Sequence, residues 1–167
     1  MKVTLLMALT ADGLIARDDT HLTDWTAAED KKLFKSFTQK AGVVIMGSKT
    51  FETLDRPLPG RKVVILTRRK DRVAPWDNVV FTDLSPNNLL KSLEQEGYEH
   101  VVVSGGATIN ALFAQQGVID ELVLTYSPTI FGSGVPLFAG EVSMQLALIK
   151  VSRMGDNLIY AHYKVIH

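Results

Sequence analysis

The sequence predicts a three-layer α/β domain, with helices on both faces of a mixed, mostly parallel sheet that ends in an antiparallel hairpin. Three observations predict it. Short apolar runs such as Lys2–Leu9, Val43–Met46, Val63–Leu66 and His100–Val103 alternate with helical segments, as in strands buried on both faces. Two of those runs end in small residues that open helices, Gly47 before Ser48 and Ser104-Gly105-Gly106 before Ala107. Near the end, Leu146–Ser152 and Leu158–Ile166 flank Gly155-Asp156-Asn157, which reads as a hairpin.

In chain order, Lys2–Leu9 reads as a fully buried strand that stops at the turn Ala11-Asp12-Gly13, and Leu14-Ile15-Ala16 resumes it briefly. Arg17–Leu22 is a polar loop without periodicity, expected to be mobile. Thr26-Ala27-Ala28-Glu29 has the form of a capping box, with Thr26 as the cap and Glu29 reaching back. The helix it opens carries Leu33, Phe34 and Phe37 on one stripe, and Asp30 falls on that stripe at i relative to i+3, i+4 and i+7. Burying an unpaired carboxylate is costly, so this placement favours a functional acid over a dipole-stabilising one.

Ser48-Lys49-Thr50 opens a short helix, Arg56-Pro57-Leu58-Pro59-Gly60-Arg61 is a rigid turn, and Val63–Leu66 runs into the basic cluster Arg68-Arg69-Lys70. Val79-Val80-Phe81 is a short strand. Leu84–Gly97 is a helix entered through Ser85-Pro86, and Ala107–Gln116 follows the glycine pair. Glu121–Thr125 is a strand, and Ser127–Phe138 is a long connection with glycine or proline at each bend. No repeat or linker divides residues 1–167, so one domain is expected.

Composition removes several classes of function. Eighteen basic and eighteen acidic residues leave no net charge, which argues against a nucleic-acid partner. Without cysteine there is no disulfide, thiolate nucleophile or cysteine-bound zinc, and the four histidines have no metal-ligand spacing, so no metal is expected. The apolar run at 3–9 is too short to span a bilayer, so no membrane association and a cytoplasmic location are expected. What remains is a small-molecule site. Strand, small residue and helix start, twice over, with basic residues nearby, suit a nucleotide carrying several phosphates.

Residues 46–68, MGSKTFETLDRPLPGRKVVILTR, resemble the signature of the dihydrofolate reductase family. The resemblance is strongest from Trp25 to Arg68 and returns at Gly105-Gly106 and Leu122–Thr125. It implies the three-layer fold of that family, NADPH as cofactor, and hydride transfer to the C=N bond of dihydrofolate. It assigns catalytic roles to Asp30, Trp25 and Thr125, and substrate contacts to Leu6, Phe34 and Arg61. For NADPH it implies Ala8, Ile15, Gly47, Ser48, Lys49, Thr50, Thr67, Arg68, Gly105, Gly106, Ala107 and Thr108. Asp30 would accept two hydrogen bonds from a 2-amino-4-oxopyrimidine edge and Phe34 would stack on the ring. Arg61 would hold a distal carboxylate.

Two departures from that family stand out. Its usual arginine after Met-Gly is Ser48 here, leaving Lys49, Arg68 or Arg69 for a 2′-phosphate. The aromatic residue that usually touches the nicotinamide is Asn110. Two other stretches, Ala11–Ala16 and Ser127–Phe138, resemble a sister family, the riboflavin-biosynthesis reductases of the RibD C-terminal domain. That family reduces a ribosyl-aminopyrimidine phosphate with NADPH, and Arg61 suits a sugar phosphate equally well. A nucleotide-binding module without turnover is the reading from a different class, and the buried Asp30 counts against it. A monomer or a homodimer is expected, with Ile130–Phe138 as one surface for the latter.

Overall fold

Eight strands pair in the order β5-β4-β3-β6-β1-β7-β10-β9, parallel except for the last two. In chain order the strands and helices are β1 (Lys2–Thr10), β2 (Leu14–Ala16), α1 (Ala28–Ala41), β3 (Val43–Gly47), α2 (Ser48–Glu52), β4 (Lys62–Leu66) and β5 (Val79–Thr82). Then follow α3 (Pro86–Gln95), β6 (His100–Val103), α4 (Ala107–Gln115), β7 (Glu121–Ser127), β8 (Val135–Pro136), β9 (Gln145–Met154) and β10 (Leu158–Ile166). The computed structural model describes residues 1–54, 56–69 and 71–167, apart from the side chain of Thr23. Asp55, within the family-like signature, and Lys70, in the basic cluster, lie outside the described residues.

The sheet is parallel where apolar runs alternate with helices, because each crossover buries one face of the sheet. Its core gathers Val3, Leu5, Val43, Ile45, Val64, Val101, Val103 and Phe113 on one side. Leu6, Ala41, Val102 and Val123 pack with α1 on the other. β2 and β8 form a separate antiparallel ribbon, Leu14 opposite Pro136, where Gly134 leaves room for the carbonyl of Ala16. A Cβ at Gly134 would sit 2.3 Å from that oxygen.

β1 is not buried along its whole length. It pairs with β6 only as far as Leu5↔Val103, whereas its pairing with β7 continues to Thr10↔Ser127. Past Leu5 one side of β1 is therefore open, and Met7 and Ala8 are half-buried. This is the point where connections leave the sheet in opposite directions, the usual place for a ligand crevice in an open α/β sheet.

The start of α1 also differs from the expected capping box. Its N-cap is Ala27, with φ −70° and ψ 163° and no side-chain cap hydrogen bond, so Glu29 falls too early in the helix for that motif. A 3-10 turn at Thr23–Trp25 and extended backbone at Thr26 delay the helix. The stripe it buries is also longer than expected. Leu33, Phe34 and Phe37 are half-buried, and the fully buried positions are Thr38 and Ala41. α3 begins as read, with Ser85 accepting a hydrogen bond from the Asn88 amide and Pro86 at the first turn.

Candidate active site

A cleft of about 1480 Å³ opens where β1 outruns β6, and Leu6, Met7 and Ala8 form its floor. It runs between α1 and the 56–61 turn at one end and the starts of α2 and α4 at the other. Apart from Arg69, every residue singled out from the sequence as binding substrate or cofactor lines it, as do Asp30 and Trp25. Thr125 lies behind the cleft wall.

Asp30 is held from β7. Thr125 is 1% exposed, and its hydroxyl donates to Asp30 Oδ1 at 2.5 Å. Burial pushes the Asp30 carboxyl above the ordinary aspartate range, while the Thr125 hydrogen bond and the Lys31 charge pull it down. Thr125 sits opposite Ala8 in the sheet, so the strand register itself brings the hydroxyl to the helix carboxylate. Phe34, one turn along α1, and the buried Leu6 give this end of the cleft apolar walls around one acid.

Trp25 comes from the 3-10 turn and packs edge-on against Phe131, with ring centroids 5.3 Å apart. Phe131 also meets the ring of His21 at 5.4 Å, and Arg17 lies 4.2 Å over its face. Asp12 fixes the chain there by accepting hydrogen bonds from the amides of Phe131 and Gly132. Thus the connection after β7 clasps the loop before α1 over the cleft mouth.

Arg61 is 6% exposed and fixed on two sides. Its Nε donates to the carbonyl of Pro59 at 3.2 Å, and one terminal nitrogen donates to Thr38 Oγ1. Burial disfavours its charge, yet a guanidinium stays protonated, and no carboxylate among the described residues pairs with it. A buried cation that lines a cleft suits an anion. Thr38, one turn beyond Phe34 on the Asp30 stripe, escaped the sequence reading because it is polar; the period alone would have found it.

The other end is built from backbone. Gly105 has φ +87°, and the Gly105–Gly106 peptide is cis. A Cβ on Gly105 would stand 3.2 Å from Met7 Cε, and one on Gly47 would stand 2.9 Å from Ile109 Cγ1. Only glycine fits this floor. α4 has Gly106 as its N-cap with no side-chain cap hydrogen bond, and Ala107 and Thr108 of its first turn line the cleft. Such a helix start suits a phosphate.

Ser48, Thr50, Thr67 and Arg68 line the same end, with Arg68 and Arg69 exposed. Lys49 forms an ion pair with Asp19 from the loop across the cleft, a partner the sequence reading did not identify. Asn110 does not reach the cleft. It is fully buried, and its Nδ2 donates to the carbonyl of Leu137, so it anchors the connection after β7 to α4.

The model described as the RibD C-terminal domain matches residues 1–160. A protein of Bacillus subtilis called uncharacterized protein YwjB is 26% identical over 170 residues, covering 97% of each chain. Dihydrofolate reductase type 3 of Salmonella typhimurium is 32% identical over 126 residues, covering 75% of this chain and 72% of that one. The crystal structure of a putative riboflavin biosynthesis protein from Shewanella sp. PV-4 superimposes with a TM-score of 0.83, covering 100% of both chains at 24% identity.

Proposed function

This chain belongs to the RibD C-terminal domain family, and from that premise we propose that it reduces the C=N bond of dihydrofolate with NADPH. It is an oxidoreductase of the dihydrofolate reductase-like superfamily. The observation that carries the proposal is the Asp30–Thr125 pair at the apolar end of the cleft. An ionised carboxylate only accepts hydrogen bonds, so it matches a ring edge that presents two donors. The 2-amino-4-oxopyrimidine edge of a pterin does so, as does the same edge of a diaminopyrimidine ribosyl phosphate, whereas the oxo–NH–oxo edge of a uracil sets carbonyl oxygens against the acid.

NADPH supplies the hydride when bound. The chain's own work is orientation. Phe34 and Leu6 sandwich the ring, and Asp30 fixes its edge and favours protonation of the ring nitrogen beside the accepting carbon. The starts of α2 and α4 and the glycine floor suit the cofactor's phosphates and a closely approaching ring.

A second reading is a riboflavin-pathway reductase acting on a ribosyl-aminopyrimidine phosphate. The match of the family model over residues 1–160 favours it, and Arg61 suits a sugar phosphate as well as a carboxylate. A side-by-side assay following NADPH absorbance with each substrate separates the two. Turnover with dihydrofolate that falls about 100-fold or more in Asp30→Asn supports the first reading. Turnover with the ribosyl phosphate alone replaces it with the second.

A further inference from the structure

We propose that Asp83 sets how the chain tells a 2′-phosphate from a 2′-hydroxyl on its dinucleotide, and that NADH is therefore bound nearly as well as NADPH. The inference rests on the cofactor reading above and concerns the strand ends at the cofactor end of the same cleft. β4 and β5 leave the sheet side by side there, with Leu66 opposite Thr82 and the Thr67 amide donating to the Thr82 carbonyl at 2.9 Å. Each strand exits through the same kind of turn. The Thr67 hydroxyl accepts from the Arg69 amide at 3.2 Å, and the Thr82 hydroxyl accepts from the Leu84 amide at 3.2 Å. Arg68 and Asp83 are the middle residues of these two turns, and both line the cleft. One strand end thus offers a cation and its neighbour an acid.

This is the place for the second nucleoside of a dinucleotide whose phosphates lie at the starts of α2 and α4. Leu112, one turn along α4 from Thr108, lines the cleft, as does Leu84 beside Asp83. They are 36% and 40% exposed. Two leucines left open to a cleft suit the faces of a flat purine. A purine held by them sets its ribose at the strand ends, next to Arg68 and Asp83.

The two ribose substituents ask for opposite charges. A carboxylate only accepts hydrogen bonds, so it matches a hydroxyl. It opposes a phosphate monoester, which carries about −1.5 to −2 near neutral pH. Doubly wound nucleotide sites use the same rule, with an acid on the 2′-hydroxyl and an arginine on the 2′-phosphate. Here Arg68 is the counterweight, since a guanidinium suits a phosphate. It has little help. Position 48 holds serine, Lys49 is paired with Asp19, and Arg69 does not line the cleft. Among the described residues no ion pair engages Asp83, so its charge is left for the ligand.

Calorimetric titration of the full chain tests this without any turnover. Adenosine 2′,5′-bisphosphate and adenosine 5′-monophosphate carry the discriminating group alone, and NADPH and NADH are titrated beside them. The wild type should hold NADPH and NADH with Kd values within about tenfold of each other. Asp83→Asn should tighten the two 2′-phosphate ligands roughly 3- to 10-fold at low salt and should not tighten the other two. Asp83→Arg should enlarge that gain. Asp83 is exposed, so neither change disturbs the core. An acid that serves only the start of α3, which begins at Pro86, would instead shift both members of each pair equally. Equal shifts, no shift, or a wild-type preference for NADPH beyond tenfold overturns the inference while leaving the cofactor reading in place. Failure of NADPH itself to bind removes that reading, and the inference with it.

Discussion

Asp30 places stability and chemistry in opposition. Burial raises its pKa in the folded chain, so its ionised form is penalised there and free of that penalty when unfolded. Its favourable contribution is therefore complete below the unfolded pKa and disappears as pH rises through the folded one. Asp30→Asn should accordingly raise Tm at pH 7, with the gain shrinking toward acid pH, while hydride transfer falls about 100-fold or more. A pair of melting curves at pH 7 and pH 4 checks the first half. Thr125→Val removes the donor that favours the ionised acid, so the acidic limb of the kcat/KM profile should move to higher pH. Besides its proposed part as a tail anchor, Arg61 ties Thr38 to the Pro59 carbonyl. Arg61→Ala should raise KM several-fold with kcat little changed. It should also destabilise the chain by about 2 kcal/mol, because Thr38 and the Pro59 carbonyl lose a charged donor. The place of Asp30 in the cleft was legible from its position on a helix stripe. That of Arg61 was only half legible, since nothing local tells that a guanidinium will be sunk against Thr38, 23 residues earlier.

At the scale of elements, the cofactor end of the cleft rests on helix starts and on the loop before α1. Lys49 on α2 meets Asp19 on that loop, and both are exposed. In the proposed mode of binding, a cofactor phosphate competes with Asp19 for the lysine. Asp19→Asn should tighten NADPH binding a few-fold at low salt, the modest size expected of a surface pair. That gain should vanish near about 0.5 M salt, where screening acts over a few ångströms. Titrating NADPH by fluorescence at two ionic strengths measures both. The strands and helices themselves were legible, because apolar period and glycine or proline punctuation are local signals. The α1 start was not, because a capping-box spelling competes with a 3-10 turn that depends on Phe131, over a hundred residues away. The exposure of β9 was also hidden. Its alternation announces an apolar face but does not say whether its own chain covers it.

For the whole molecule, the alternation of runs predicted a mostly parallel sheet, but not the order of its strands. Order is decided by crossovers and by the place where β1 is inserted, and neither leaves a local mark. That insertion has a consequence in time. β1 is made first, yet its two neighbours end at Val103 and Ser127. At the usual pace of synthesis a ribosome needs roughly 5–20 s to reach the first of them. Meanwhile β3, β4 and β5 hold everything required to pair with one another, while Val3, Leu5, Leu6 and Leu9 wait without partners. A nascent chain arrested near residue 99 should keep its first ten residues open to protease, and one released after Ser127 should protect them. The strand that floors the cleft is thus the first of the strands to be made and among the last to find its place.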